Sequence, residues 1–133
     1  MGKFIANAVF DAAFTEVTGN CNKICITNGE PSTYASCVLS AASSGNLLAD
    51  VSSITASDFT GPADGSTDGR KLTVDAQSSI SVDATGSATH IVLVDTTSSG
   101  RMLVGTTLSA TKSLTVGNKV DMPSWEVRLR DPS

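Results

Sequence analysis

The sequence predicts a mainly β protein: an antiparallel β-sandwich or small barrel with one N-terminal helix, in a single domain spanning residues 1–133. Two observations predict this fold class. Short runs of β-branched residues recur at intervals of about eight to twelve residues between glycine- and asparagine-rich turns. Serine and threonine make up about a quarter of the 133 residues, and both suit strands and turns better than helix interiors.

Composition and charge exclude several classes of function. Charged residues are only 17% of the chain, the net charge is −4, and no run of lysine or arginine forms the cationic footprint that nucleic-acid binding needs. No apolar window approaches the roughly 18 residues of a membrane-spanning helix. Asp11 and Glu16 interrupt the apolar N-terminus, so we expect no signal peptide and synthesis in the cytoplasm.

Residues 4–18 are the one good helix candidate. Phe4, Phe10 and Phe14 recur near helical spacing with alanines between them, and Gly19-Asn20 is a plausible stop. One interpretation is that this apolar helix covers a sheet of its own chain. The other is that part of it docks on a neighbouring subunit, which makes the three phenylalanines candidates for subunit contacts.

The first half of the chain after the helix contains fewer clear strands. Residues 22–28 alternate as a strand does, residues 47–56 predict another strand, and residues 35–42 fit either a strand or a short helix. Residues 60–69 predict a long, turn-rich loop, because glycine, proline and aspartate crowd ten positions.

The second half predicts a β-meander. Its strands are expected at residues 71–76, 80–82, 91–94, 101–108, 113–116 and 125–129. Ile91 to Val94 is a continuous apolar run, which is typical of a strand buried on both faces. In the last strand Trp125, Val127 and Leu129 alternate with charged residues, so we expect these three to face the core.

The three cysteines, Cys21, Cys25 and Cys37, are candidates for cross-links. If Cys21 and Cys25 share a strand they lie about 13 Å apart, which is beyond disulfide reach. Cys37 is the better partner for either, and the remaining thiol is then a candidate for a bridge between subunits. The alternative is that all three are buried thiols, since cysteine is among the most buried residue types.

No pattern in the sequence predicts catalysis, a metal or a cofactor. His90 is the only histidine and has no nucleophile or acid–base partner near it in sequence. The three cysteines lack the fourth ligand of a zinc site, and Asp75, Asp83 and Asp95 do not follow a calcium-loop pattern. We therefore predict a protein that is not an enzyme.

Five groups of segments form a recognisable pattern: Phe59–Gly65 with Gly69–Lys71, Ala88–Asp95, Leu114–Asn118, Pro123–Val127 with Asp131-Pro132, and Glu30–Tyr34 after the apolar helix. Together they resemble the small virion structural proteins of tailed bacteriophages. They are turn and strand patterns that cover most of the chain, and they define no active site.

The resemblance implies a role in decorating and cementing the head surface of the virion. The partners it implies are the major capsid protein and copies of the chain itself, arranged as a homotrimer. A neck or tail component is the close alternative. A carbohydrate- or receptor-binding module is a second class of hypothesis, although aromatic residues are only 5% of the chain and sugar binding usually requires exposed ones to stack on.

Overall fold

A computed structural model describes residues 2–97 and 99–132, and it confirms a mainly β, antiparallel fold with one N-terminal helix. The helices are α1 (Asn7–Asn20) and α2 (Tyr34–Val38). The strands are β1 (Lys23–Thr27), β2 (Leu47–Ser52), β3 (Phe59–Asp64), β4 (Arg70–Val74), β5 (Gln77–Ser81), β6 (Gly86–Asp95), β7 (Arg101–Leu114), β8 (Lys119–Met122) and β9 (Trp125–Leu129).

Three antiparallel sheets form a sandwich-like stack, and none of them closes into a barrel within the described residues. The largest sheet has the strand order β2-β1-β6-β7, the second has the order β3-β4-β9, and the third pairs β5 with β8. The main core lies between these sheets, where Ile24, Leu72 and Leu93 are fully buried.

Strand β6 is buried on both faces over the run Ile91 to Val94, as the sequence predicts. Ile91 and Leu93 point into the main core, whereas Val92 and Val94 belong to a second, smaller cluster on the opposite face. The short helix α2 covers that second face. Of the two alternatives for residues 35–42, a strand or a short helix, the structure therefore shows a helix in the first part of the segment. Thr33 caps α2 by accepting a hydrogen bond from the Ser36 backbone N–H at 3.1 Å.

Helix α1 begins three residues later than predicted and ends two residues later. The segment before Asn7 is not helical, and the Ile5 backbone N–H instead donates to the Asp131 carboxylate at 3.2 Å. At the other end, the Cys21 N–H donates to the Val17 carbonyl, so the helix runs past Gly19 to Asn20.

Two arginines tie α1 to the sheets. Arg70 of β4 donates to Asp11 of α1 at 2.8 Å and to Asp64 of β3 at 2.8 Å. Arg101 of β7 bridges Glu16 of α1 at 2.6 Å and the buried Asp95 of β6 at 3.2 Å. Each arginine is thus shared between one carboxylate of the helix and one carboxylate of a strand.

The predicted loop at residues 60–69 is wrong in its first half. Residues Phe59–Asp64 form β3, an edge strand, and only the turn closed by the Gly65 N–H and the Gly69 carbonyl remains irregular. Pro62 was one of the residues that indicated a loop. Proline is nevertheless tolerated at a sheet edge where the pairing is interrupted. The pairing of β3 with β4 is irregular between Thr60 and Ala63, on either side of that proline.

The two predicted strands at residues 101–108 and 113–116 are joined in one strand, β7, which ends at Leu114. Strand β7 pairs with β6 from Arg101↔Asp95 to Leu114↔Gly86, and residues 108–111 form a bulge between the pairs Thr107↔His90 and Lys112↔Ala88. Two register irregularities in that pairing absorb the difference in length between the 14 residues of β7 and the ten of β6.

Candidate assembly surface and buried cysteines

The structure separates the three phenylalanines that were candidates for subunit contacts. Phe10 and Phe14 are only 5% and 1% exposed, and with Val17 they form the buried face of α1. The prediction of subunit contacts at Phe10 and Phe14 is therefore wrong: their spacing of four residues directs both rings onto the sheets of their own chain. Phe4 precedes the helix and is 73% exposed, so it keeps its place as a contact candidate.

Cys21 lies at the junction between α1 and β1 rather than within a strand. It is 3% exposed and its thiol donates to the Lys23 carbonyl at 3.6 Å. Burial raises the pKa of Cys21 to about 11, so it is a protonated, weakly reactive thiol at neutral pH. Its burial also places it out of reach of a neighbouring subunit, which argues against Cys21 as the bridging thiol.

Cys25 and Cys37 face each other in the second cluster. Cys25 comes from β1 and Cys37 from α2, both are fully buried, and their neighbours include Leu47, Val92 and Val94. The interaction with Cys37, together with burial, raises the pKa of the Cys25 thiol. All three cysteines are free thiols in this structure. Of the pairings that the sequence left open, the fold favours Cys25 with Cys37.

His90 lies at the edge of a shallow groove of about 280 Å³ on the α2 side of the large sheet. Both ring nitrogens have hydroxyl partners, Thr89 at 2.8 Å and Thr107 at 3.3 Å. The rest of the lining mixes polar and apolar groups and includes Glu30, Pro31 and Met102. The two hydroxyls hold the imidazole ring in one orientation.

A second groove, of about 300 Å³, is mostly apolar and opens between the large sheet and the β5–β8 pair. Its floor includes Ile26 and Ile91, and its rim is formed by the second half of β7 and by Asp121 to Pro123. The two grooves lie on opposite faces of the large sheet, and β7 contributes to both.

Sequence reasoning missed the length and position of β7. It forms one edge of the large sheet and pairs only with β6, so its outer backbone groups have no strand partner within the described residues. The sequence signal was present: between Arg101 and Lys112 the chain has no charge and no proline, although both are common on protected edges.

Within residues 2–97 and 99–132, neither helix is long and apolar enough to span a membrane, and no group of three or more potential metal ligands converges. Comparisons of this chain with protein-family models, curated proteins and solved structures found no match.

Proposed function

We propose that this chain is a non-enzymatic structural protein of a tailed-phage virion, which binds the outer surface of the head shell and stabilises it. The observation that carries the proposal is the combination of an antiparallel sandwich with two exposed features that could contact a partner. These features are the 73% exposed Phe4 and the open edge of β7. A shell protein requires such contacts because it acts through interfaces.

The sequence resemblance supplies the location and the partners in this proposal. The likeness to small virion proteins covers segments that the structure places in β3, β4, β6, β7 and β9. The partners are then the major capsid protein and other copies of the chain, and the homotrimer is the assembly that the resemblance implies. The chain would be made in the host cytoplasm and added to the head surface.

A comparison of particles with and without this chain tests the cementing role. Particles that lack the chain should lose DNA at lower temperature, and after milder osmotic shock, than complete particles. Adding the purified chain back should restore the resistance. Equal resistance of both kinds of particle would contradict the proposal.

The Phe4 contact is tested with matched variants. Phe4→Ala should leave the free chain folded, because the ring is mostly solvent-exposed, but should reduce the number of copies retained on the shell. Val9→Ala is the control, since Val9 is 60% exposed on α1 and also apolar. Electron microscopy of the particles separates a head-surface position from the alternative position in the neck or tail.

A further inference from the structure

The turn that follows β1 contains the dipeptide Asn28-Gly29, and Asn28 is the only one of the six asparagines that precedes a glycine. An asparagine in this position can lose its side-chain amide without an enzyme, because the backbone nitrogen of the next residue can attack the side-chain carbonyl carbon. Glycine favours the attack, since it has no Cβ to crowd its own nitrogen and restricts the backbone least. The surroundings of these atoms decide whether a folded chain permits the reaction.

The attacking nitrogen, that of Gly29, is not tied up in the sheet. Strand β1 ends at Thr27, so Gly29 lies outside the ladders with β2 and β6. The Gly29 carbonyl accepts from the Thr27 hydroxyl at 2.8 Å, whereas the Gly29 N–H donates to no group within residues 2–97 and 99–132. No hydrogen bond therefore has to break before this nitrogen can react.

The side chain under attack is accessible, and its carbonyl oxygen has a donor. Asn28 is exposed, and its Oδ1 accepts from the Asn46 Nδ2 at 2.9 Å. Attack on the carbonyl carbon builds negative charge on Oδ1, and a hydrogen-bond donor aimed at that oxygen stabilises the charge. The Asn28 Nδ2, which is the leaving group, bonds to no acceptor in the part of the chain that the structure describes.

We infer that Asn28 is a site of spontaneous deamidation in the folded protein. The Gly29 nitrogen gives its proton to solvent and bonds to the Asn28 Cγ, and the bond from Cγ to Nδ2 breaks to release ammonia. The resulting five-membered imide then takes up one water molecule. Opening of the ring at Cγ yields aspartate, and opening at the main-chain carbonyl yields isoaspartate. Water is the only co-reactant.

The modification changes the charge and the main chain at one end of the large sheet. Either product places a carboxylate two residues before Glu30, which lines the groove beside His90. The net charge becomes one unit more negative than −4. Isoaspartate also adds one carbon to the main chain between Thr27 and Gly29, whose hydroxyl–carbonyl bond spans the site. This inference concerns the chain alone and does not rest on the proposed role in a virion.

Incubation of the purified, folded chain at mildly alkaline pH tests the site, because the attacking nitrogen must lose its proton. Ion-exchange chromatography should resolve an acidic fraction that grows with time, with Asn28→Asp as the standard for the aspartate product. Peptide mass spectrometry should assign the change to Asn28. Asn118 is the internal control, since it is exposed in another turn but precedes Lys119. The same chain unfolded in urea gives the rate without the fold.

Gly29→Ala is the matched variant. Its added Cβ would lie 3.6 Å from the Asn46 Nδ2, which is an ordinary contact, so the variant should fold. Circular dichroism checks this. We expect Asn28 to convert several-fold more slowly in Gly29→Ala than in the wild type, because the new methyl group crowds the attacking nitrogen. If the variant does not fold, the comparisons with Asn118 and with the urea-unfolded chain remain decisive.

Three results would overturn the inference. The first is conversion of Asn28 in urea but not in the folded chain over the same period, which would show that the fold protects this side chain. The second is an equal rate at Asn28 and Asn118 in the folded chain. The third is an unchanged rate in folded Gly29→Ala, which would show that the Gly29 nitrogen is not the attacking group.

Discussion

Trp125 of β9 lies directly opposite Val74 of β4, and its indole N–H is buried without a hydrogen-bond acceptor among the described residues. The ring packs against the main core while part of it stays exposed. The expected alternation of β9 is thereby confirmed, since Val127 and Leu129 also pack on the core and Arg128 is exposed.

The buried indole N–H predicts that Trp125→Phe costs little. Phenylalanine keeps an aromatic ring against Val74 and removes a donor that has no acceptor, which offsets the lost ring area. We expect a change within about 1 kcal/mol, whereas Trp125→Ala should cost about 3 kcal/mol. Urea denaturation measures both, with Arg128→Ala as the surface control. A Phe variant as unstable as the Ala variant would show that the N–H has a partner.

The burial of α1 predicts opposite results for two phenylalanines. Phe14→Ala removes a ring that is 1% exposed and should cost about 3–5 kcal/mol. Phe4→Ala alters a ring that is 73% exposed and should change stability by less than about 0.5 kcal/mol. Thermal and urea unfolding of the isolated chain distinguish them, and similar losses would mean that Phe4 packs on its own chain.

Under the proposed role in a virion, the facing thiols predict that mature particles contain a disulfide between Cys25 and Cys37. Once such a particle has left the reducing cytoplasm, oxidised glutathione accepts the two electrons and the two thiol protons and leaves as two molecules of reduced glutathione. The bridge closes a short loop and should stabilise the chain by about 3 kcal/mol in the chain-entropy account.

Alkylation of intact particles before denaturation, followed by peptide mass spectrometry, tests the bridge. The linked peptides should contain Cys25 and Cys37, while Cys21 is recovered as a thiol that alkylates only after unfolding. Cys21→Ser is the control and should leave the bridge unchanged. Recovery of all three residues as thiols in mature particles would show that they are core residues alone.

The lowered pKa of Asp95 predicts that the folded protein loses stability in acid. The hydroxyl and backbone N–H of Thr97, with Arg101, hold the pKa of this carboxyl below its ordinary value. A lowered pKa in the folded state means that the stabilisation is present above the ordinary carboxyl pKa of about 3.9 and is lost as the pH falls through the folded-state pKa. Asp95→Asn should therefore be less stable than the wild type near pH 6, with the difference shrinking below about pH 4.

Unfolding free energies measured between pH 2 and pH 7 check this. Asp75→Asn serves as a control carboxylate that accepts only from Thr60 at 2.7 Å and faces no arginine in the described contacts. A constant difference between Asp95→Asn and the wild type across the whole range would show that the carboxylate contributes nothing through its charge.

Local sequence patterns were sufficient for the fold class and for most strands. Alternation in β9 and the continuous run Ile91 to Val94 identify burial on one face and on two faces, because side chains alternate along a strand. The spacing of Phe10, Phe14 and Val17 likewise predicts a helix with one apolar face. These features depend on neighbouring residues, so a linear sequence contains them.

Tertiary structure decided which of these apolar residues meet their own chain and which backbone edges stay open. Phe4 and Phe14 look alike in the sequence, but only Phe14 lies on the helix face that covers the sheets. Cys25 meets Cys37 because α2 folds back over β1, and β7 is an open edge because residues 39 and 83–84 cover β2 instead. Each of these outcomes depends on pairings between segments distant in the chain, which local propensity does not specify.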